Sequence, residues 1–306
     1  MSDSIGRSVA SLRRVRLRNL VSAAAVVAVV AIPVAIAAGR SSASQAPADA
    51  TTAHGAAIHL SKGIGARPSA SMAERRAHAY AARRFRAAGL RVSINGFRVP
   101  GRGRSRNVVG IYDTPRSCLK ILMGHADSVT GSAGANDNAS GVGVLVALAR
   151  RLDSIDPRCD LWLVATGSEE REVTGLADHR GATALVRRVR RHHRRADLRY
   201  ALSLDMVGRG KRFWMRSPRS GPRRRVERQV LKLAKRSNVP VHWERDSGTG
   251  NSDHREFELA GLPAMVLQAW EGYDPCHHQA CDRAGRLRKV SLRLALRLAT
   301  RVAQRP

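Results

Sequence analysis

From Ser71 to the C-terminal end, short apolar runs alternate with amphipathic helical segments, and this alternation is the strongest constraint on the fold. Parallel strands need a long crossover, usually a helix, and each crossover covers one face of the sheet it serves. The strand-like runs are "LRVSING", "NVVGIYD", "CLKILMGH", "CDLWLVATG", "RYALSLDMVG" and "GLPAMVLQA". Between and after them lie "ASGVGVLVALARRL", "GATALVRRVRRHH", "RRRVERQVLKLAKRS" and "RKVSLRLALRLATRVAQ", all with helical spacing. "SMAERRAHAYAARRFRAAGL" reads as the opening helix, with Ser71 as N-cap, Glu74 completing a capping box and Gly89 as the stop. The pattern predicts one α/β domain over residues 69–306, with a mixed, largely parallel central sheet sandwiched between helices.

The chain of 306 residues carries 54 Lys+Arg against 24 Asp+Glu, a formal charge of +30. Lys occurs at only six positions, so the excess is arginine, and it is spread along the whole chain. A nucleic-acid binder gathers its cations on one face or helix, and an aromatic content of 4% leaves little for a base-stacking platform. A specific nucleic-acid partner is therefore not expected, and "RRVRRHHRRADLR" reads as an exposed basic helix. A solvated basic surface is the plain reading; an anionic cell-wall polymer is a partner that such a surface would suit.

Arg7, Arg13, Arg14, Arg16 and Arg18 precede an uncharged run from Leu20 to Ala38. Residues 1–39 therefore read as a signal peptide or, if uncleaved, an N-terminal membrane anchor. Either places the remainder outside the cytoplasm, secreted or anchored at the outer face. Residues 40–68, rich in Ser, Ala, Thr, Gly and Pro, read as a flexible linker.

In open α/β sheets, ligands bind beyond the carboxyl ends of the strands. Acidic and histidine residues stand at those places here. One strand runs into His125-Ala126-Asp127; the next loop, "GANDNASG", holds Asp137; another strand ends in Ser168-Glu169-Glu170. Asp205 lies near the end of "YALSLD", and "DPCHHQACD" carries His277 and His278. Imidazole and carboxylate oxygen together suit Zn²⁺ or a similar divalent ion. Three carboxylates and two imidazoles are too many for one tetrahedral catalytic site but fit two ions that share a carboxylate.

"GHADS", "GANDNASGVGVLVALAR", "ATGSEE", "LDMVG", "NSDHREF", "GLPA" and "CHHQACD" occur in an order that resembles the M28 family of zinc exopeptidases, in particular its small secreted bacterial aminopeptidases. The resemblance implies two zinc ions per chain, with His125 and Asp205 on one, Glu170 and His278 on the other, and Asp137 bridging them. It implies Glu169 as general base and Asp127 as the residue that orients His125. His278 rather than His277 is the implied ligand, because it stands four residues before Asp282. Ser252, Asp253 and His254 are implied in the wall of the substrate pocket. The implied activity is hydrolysis of amino-terminal residues from peptides with a free N-terminus, using a hydroxide held between the metals and a glutamate base.

Two departures stand out. The family usually has Tyr before the last His, where its hydroxyl serves the oxyanion; this chain has His277, which either donates in its place or faces solvent. After the Glu pair the family often has a Gly-Ser step, where this chain has Ala177-Asp178. Cys276 and Cys281 flank His278, and a disulfide there would rigidify the loop; metal ligation by them is the competing reading. Cys118 and Cys159 either pair or remain buried thiols. Two rival functions are a glutaminyl cyclase on the same scaffold and a basic binding protein without catalysis.

Overall fold

The structure, a computed structural model, describes residues 45–171, 178–218, 224–246, 251–270 and 274–305. The expected signal or anchor segment lies outside the described residues, as do parts of "REVTGLADHRGA" and "DSGTGNSDH". Eight strands form one sheet: β1 Arg91–Val99, β2 Gly103–Tyr112, β3 Leu119–His125, β4 Asp160–Thr166, β5 Leu198–Leu204, β6 Phe213–Pro218, β7 Val241–Asp246 and β8 Ala264–Ala269. The helices are α1 Gln45–Ile58, α2 Met72–Ala87, α3 Ser140–Ala149, α4 Leu152–Ile155, α5 Arg180–Arg191, α6 Arg224–Arg236, α7 His254–Leu259 and α8 Lys289–Gln304.

Strand order is β1-β2-β4-β3-β5-β8-β6-β7. The central strands β4, β3, β5 and β8 run parallel, while β1–β2, β2–β4 and β6–β8 pair antiparallel. Every residue of β3 and β4 is buried, as a parallel strand covered on both faces requires. Residues of α1, α2, α3, α6 and α8 form the core on one face, and Leu185, Val186, Val189 and Phe257 from α5 and α7 cover the other. The sequence pattern missed β6 and β7, whose "FWMRSP" and "VHWERD" mix charged and aromatic residues without alternation.

The reading of residues 40–68 as a flexible linker is corrected. Gln45–Ile58 is helical and a further helical turn covers His59–Ile64; Ala53, Ala56, Ala57 and Leu60 are buried in the main core. The small residues that make this stretch resemble a linker are what let α1 approach α3 closely. A Cβ at Gly143 would collide with the carbonyl oxygen of Ala53. Among the described residues no helix is long and apolar enough to cross a membrane.

Candidate metal centre

Parallel strands that end together bring residues distant in sequence to one edge. His125 is the last residue of β3, paired with Thr166 at the end of β4, so Glu169 and Glu170 follow only a short loop away. Asp205 comes directly after β5, beside β3. Asp137 is carried by the kinked segment Ala135–Ala139, just ahead of α3, where the backbone of Asp137 and Asn138 departs from helical angles. At Gly141 a Cβ would collide with the carbonyl oxygen of Leu204, so only glycine lets α3 start so near the end of β5. Asn136 Oδ1 accepts from the Gly208 amide at 2.9 Å and Ser140 Oγ accepts from the Val207 amide at 3.0 Å. These bonds tie the Asp137 turn to the Asp205 loop.

The side chains converge around Asp137. His125 Nε2 lies 3.1 Å from Asp137 Oδ1 and 3.5 Å from Asp205 Oδ1. On the other side, His278 Nε2 lies 3.4 Å from Asp137 Oδ2 and 2.9 Å from Glu170 Oε2. The two oxygens of Asp137 thus face two separate ligand pairs. Glu169 Oε2 is farther out, 3.9 Å from His125 Nε2. His125 Nδ1 turns the other way, 3.3 Å from the Asp127 carbonyl oxygen and 3.6 Å from Asp127 Oδ1.

The donor set fits metal. His125 Nε2, Glu170 Oε1 and Asp205 Oδ1 are buried without a hydrogen-bond partner among the described residues. Ligand atoms of His125, Asp137 and Glu170 lie within 4.8 Å of one another, as do those of His125, Glu169 and Asp205, and those of Asp137, His277 and His278. Buried polar atoms left without partners are costly, and a divalent cation is the group that satisfies several carboxylate and imidazole atoms together.

Charge coupling follows the same geometry. Burial would raise the Asp137 carboxyl, but His125, His277 and His278 outweigh it and hold it well below the ordinary range. Burial pushes Glu170 well up, and the neighbouring Asp137 charge adds to the rise. Glu169 is also raised, by burial foremost, with His125 and His179 opposing. Asp137 and Glu170 hold His278 up at about 10.

His277 does not face solvent alone. Its Nε2 lies 3.3 Å from Asp137 Oδ2, and its ring lies against that of His278 with centroids 3.8 Å apart. The flanking pair Cys276–Cys281 is a disulfide, with Cα atoms 5.3 Å apart, so neither cysteine is left for metal. Cys118 and Cys159, open as thiols or a pair from sequence, are also bonded and join the starts of β3 and β4.

The site opens onto a cleft of about 420 Å³ whose wall includes Met206, Asn251, Arg255 and Gln268. Ser252, Asp253 and His254, expected in that wall, are fully buried instead. Asp253 accepts from Thr166 Oγ1, and Ser252 Oγ meets Ser203 Oγ at 3.1 Å, so they support the ends of β4 and β5 from beneath.

Several supporting residues escaped the sequence reading. The Asp282 carboxylate accepts the backbone amides of Asn136 and Asp137, at 2.9 and 3.0 Å, and so fixes the turn that carries Asp137. The spacing from His278 marked Asp282, but not this role. Glu74 accepts from the Ser168 amide at 2.9 Å and from the Ala70 amide at 2.8 Å. The expected capping box is therefore modified: Ser71 Oγ caps the Glu74 amide, while the Glu74 carboxyl reaches Ala70 and the loop before Glu169. His179, buried beside Glu169, also went unnoticed; its only sequence signal was its place next to Asp178, where the family pattern breaks.

A family model for peptidase family M28 matches residues 107–303. Aminopeptidase YwaD of Bacillus subtilis (strain 168) is 27% identical over 220 residues, which cover 64% of this chain and 43% of that protein. The chain thus spans about two fifths of the length of that relative. A zinc aminopeptidase from Bacillus subtilis superposes with a TM-score of 0.73 at 16% identity, over 82% of this chain and 93% of the other. A glutaminyl cyclase from Bacteroides thetaiotaomicron superposes with a TM-score of 0.72 at 20% identity, over 84% and 98%.

Proposed function

This chain belongs to peptidase family M28, and from that premise we propose that it is an exported two-zinc aminopeptidase acting on peptides with a free N-terminus. The observation that carries the reading is the position of Asp137 between His125 on one oxygen and His278 on the other. His125 and Asp205 would hold one ion, Glu170 and His278 the second, with Asp137 shared. Ions bound there supply Lewis-acid polarisation of a carbonyl and bring the pKa of water toward ~7.

The remaining steps belong to the chain. Asp127 stands on the Nδ1 side of His125 and fixes the tautomer that leaves Nε2 free for the metal. Glu169 lies beside the ligands but outside the bridging set, and its raised pKa keeps it basic enough to take a proton from the attacking water. It then returns that proton to the leaving amine. The substrate's α-ammonium would be drawn by carboxylates that line the cleft, Glu169 among them. His277 would donate to the oxyanion, the role that the family gives to tyrosine. Two disulfides support an oxidising compartment, in keeping with export.

The test is purified protein on a panel of aminoacyl and N-blocked peptides, with and without chelator. Release of the first amino acid from unblocked peptides alone, lost in chelator, is the expected result. In the same assay Glu169→Gln should keep its zinc and lose ~10²–10⁴-fold in kcat, whereas Glu170→Gln should lose zinc. Ammonia released from amino-terminal Gln, without a free amino acid, would replace the reading with that of a cyclase.

A further inference from the structure

We propose that His179 is a positioning residue for Glu169: it holds Oε1 and leaves Oε2 as the atom that exchanges the proton. The inference rests on the assignment of Glu169 as base and extends it to a residue where the family pattern breaks. His179 is only 3% exposed. Its Nε2 lies 3.3 Å from Glu169 Oε1, while Glu169 Oε2 is the oxygen that faces His125. The backbone repeats the link, because the His179 amide donates to the Glu169 carbonyl and the Arg180 amide to that of Ser168, both at 2.9 Å.

The far side of the ring faces two carboxylates without hydrogen-bonding to either. Nδ1 lies 3.6 Å from both Asp178 Oδ1 and Glu256 Oε1. Thr183 Oγ1 donates to Glu256 at 3.0 Å, and Arg255 Nη1 lies 3.0 Å from Asp178 Oδ1. With carboxylates on both sides, burial's opposing effect is outweighed, so that His179 stays protonated up to about 10. From α7 and the turn before it, Asp253, His254 and Arg255 also face this group: Asp253 favours the charged ring, while burial foremost and the His179 charge after it hold the His254 pKa down. A donor fixed on Oε1 restrains the carboxyl from rotating, so that Oε2 stays on the side of His125.

The test uses zinc-loaded protein with His179→Ser and His179→Gln, each first checked for zinc content and thermal unfolding. His179→Ser should lower kcat ~10–10²-fold with KM changed less than about threefold. His179→Gln keeps a donor toward Oε1, so it should recover part of kcat. Independently of turnover, the NMR titration of the His179 ring should shift down by about one pH unit or more in Glu169→Gln. An unchanged ring titration would overturn the proposal even in an active enzyme. So would an equal fall in kcat for His179→Ser and His179→Gln, which marks a merely structural role. An inactive wild type whose ring titration still responds to Glu169→Gln would instead sink the aminopeptidase reading and leave the contact standing.

Discussion

Arg67 Nε donates to the carbonyl oxygen of Ala126 at 2.7 Å, the residue between His125 and Asp127. The same guanidinium, fully buried, reaches the carbonyls of Leu60, Gly65, Ala133 and Gly134 at 2.7–3.2 Å. One side chain therefore fastens the N-terminal helical segment to the β3 loop and to the turn that carries Asp137. Burial pulls its pKa down to about 10, and Asp127, Asp282, Asp137 and Glu170 supply the opposing negative field. At neutral pH it remains a cation, the counter-charge behind an acidic centre.

Arg67→Met should accordingly destabilise the fold by about 3 kcal/mol or more, because several buried carbonyls lose their donor together. Chemical denaturation measures this directly. Arg67→Lys should recover little, since one ammonium cannot span acceptors placed around a planar fork. A loss below about 1 kcal/mol for Arg67→Met would show that water replaces the guanidinium.

Metal removal should destabilise the protein as well as silence it. Asp137, Glu170, Glu169 and Asp205 are packed together, and a bound cation stabilises the folded state in proportion to its affinity. Chelation should lower Tm, and added zinc should restore it. Asp137→Asn, which weakens both sites at once, should hold fewer than two zinc ions at a concentration that saturates the wild type. Retention of two ions by Asp137→Asn would dismiss the shared carboxylate.

The convergence of the candidate side chains was legible in the sequence for a physical reason: His125, Glu169, Glu170 and Asp205 follow apolar strands, and the carboxyl ends of parallel strands meet. Asp137 and His278 reach the same edge from the loops around it. What was illegible acts through the main chain or across packing. Arg67 and Asp282 hold carbonyls and amides, which any sequence supplies, so nothing in their surroundings announces that role. α1 escaped because its buried face is alanine, and alanine-rich stretches lack the contrast on which helical periodicity depends. His179 was hidden because it directly precedes α5, away from the strand ends at which acidic and histidine residues draw attention.

His277→Ala should reduce turnover by ~10–10³-fold without loss of zinc if the ring donates to the oxyanion. His277→Tyr should restore or raise activity, because a phenol with pKa ~10 donates over the whole working range. Loss of zinc in His277→Ala would instead make the ring a ligand, an outcome that its 3.3 Å approach to Asp137 Oδ2 makes measurable. Metal analysis beside steady-state kinetics separates the two.

Lys120 gives a stability test away from the metals. Its Nζ is buried beneath the end of α8, donating to the carbonyls of Val302 at 2.8 Å and Ala303 at 3.3 Å and to that of Arg305. Burial, with a smaller contribution from Arg199, pulls its pKa down to about 7 from an ordinary 10.5. Between those values the unfolded chain binds more protons than the folded one, so stability rises with pH across that window, by at most ~1.4 kcal/mol per pH unit for one group. Below about pH 7 both states are charged and the contribution is flat. Lys120→Met should be less stable by a constant offset, from the carbonyls left without a donor, but it should lose this slope. Denaturation of both proteins at several pH values from 6 to 10 measures the difference. Parallel curves would mean that the ammonium stays charged against the helix carbonyls throughout, and that their dipoles outweigh its burial.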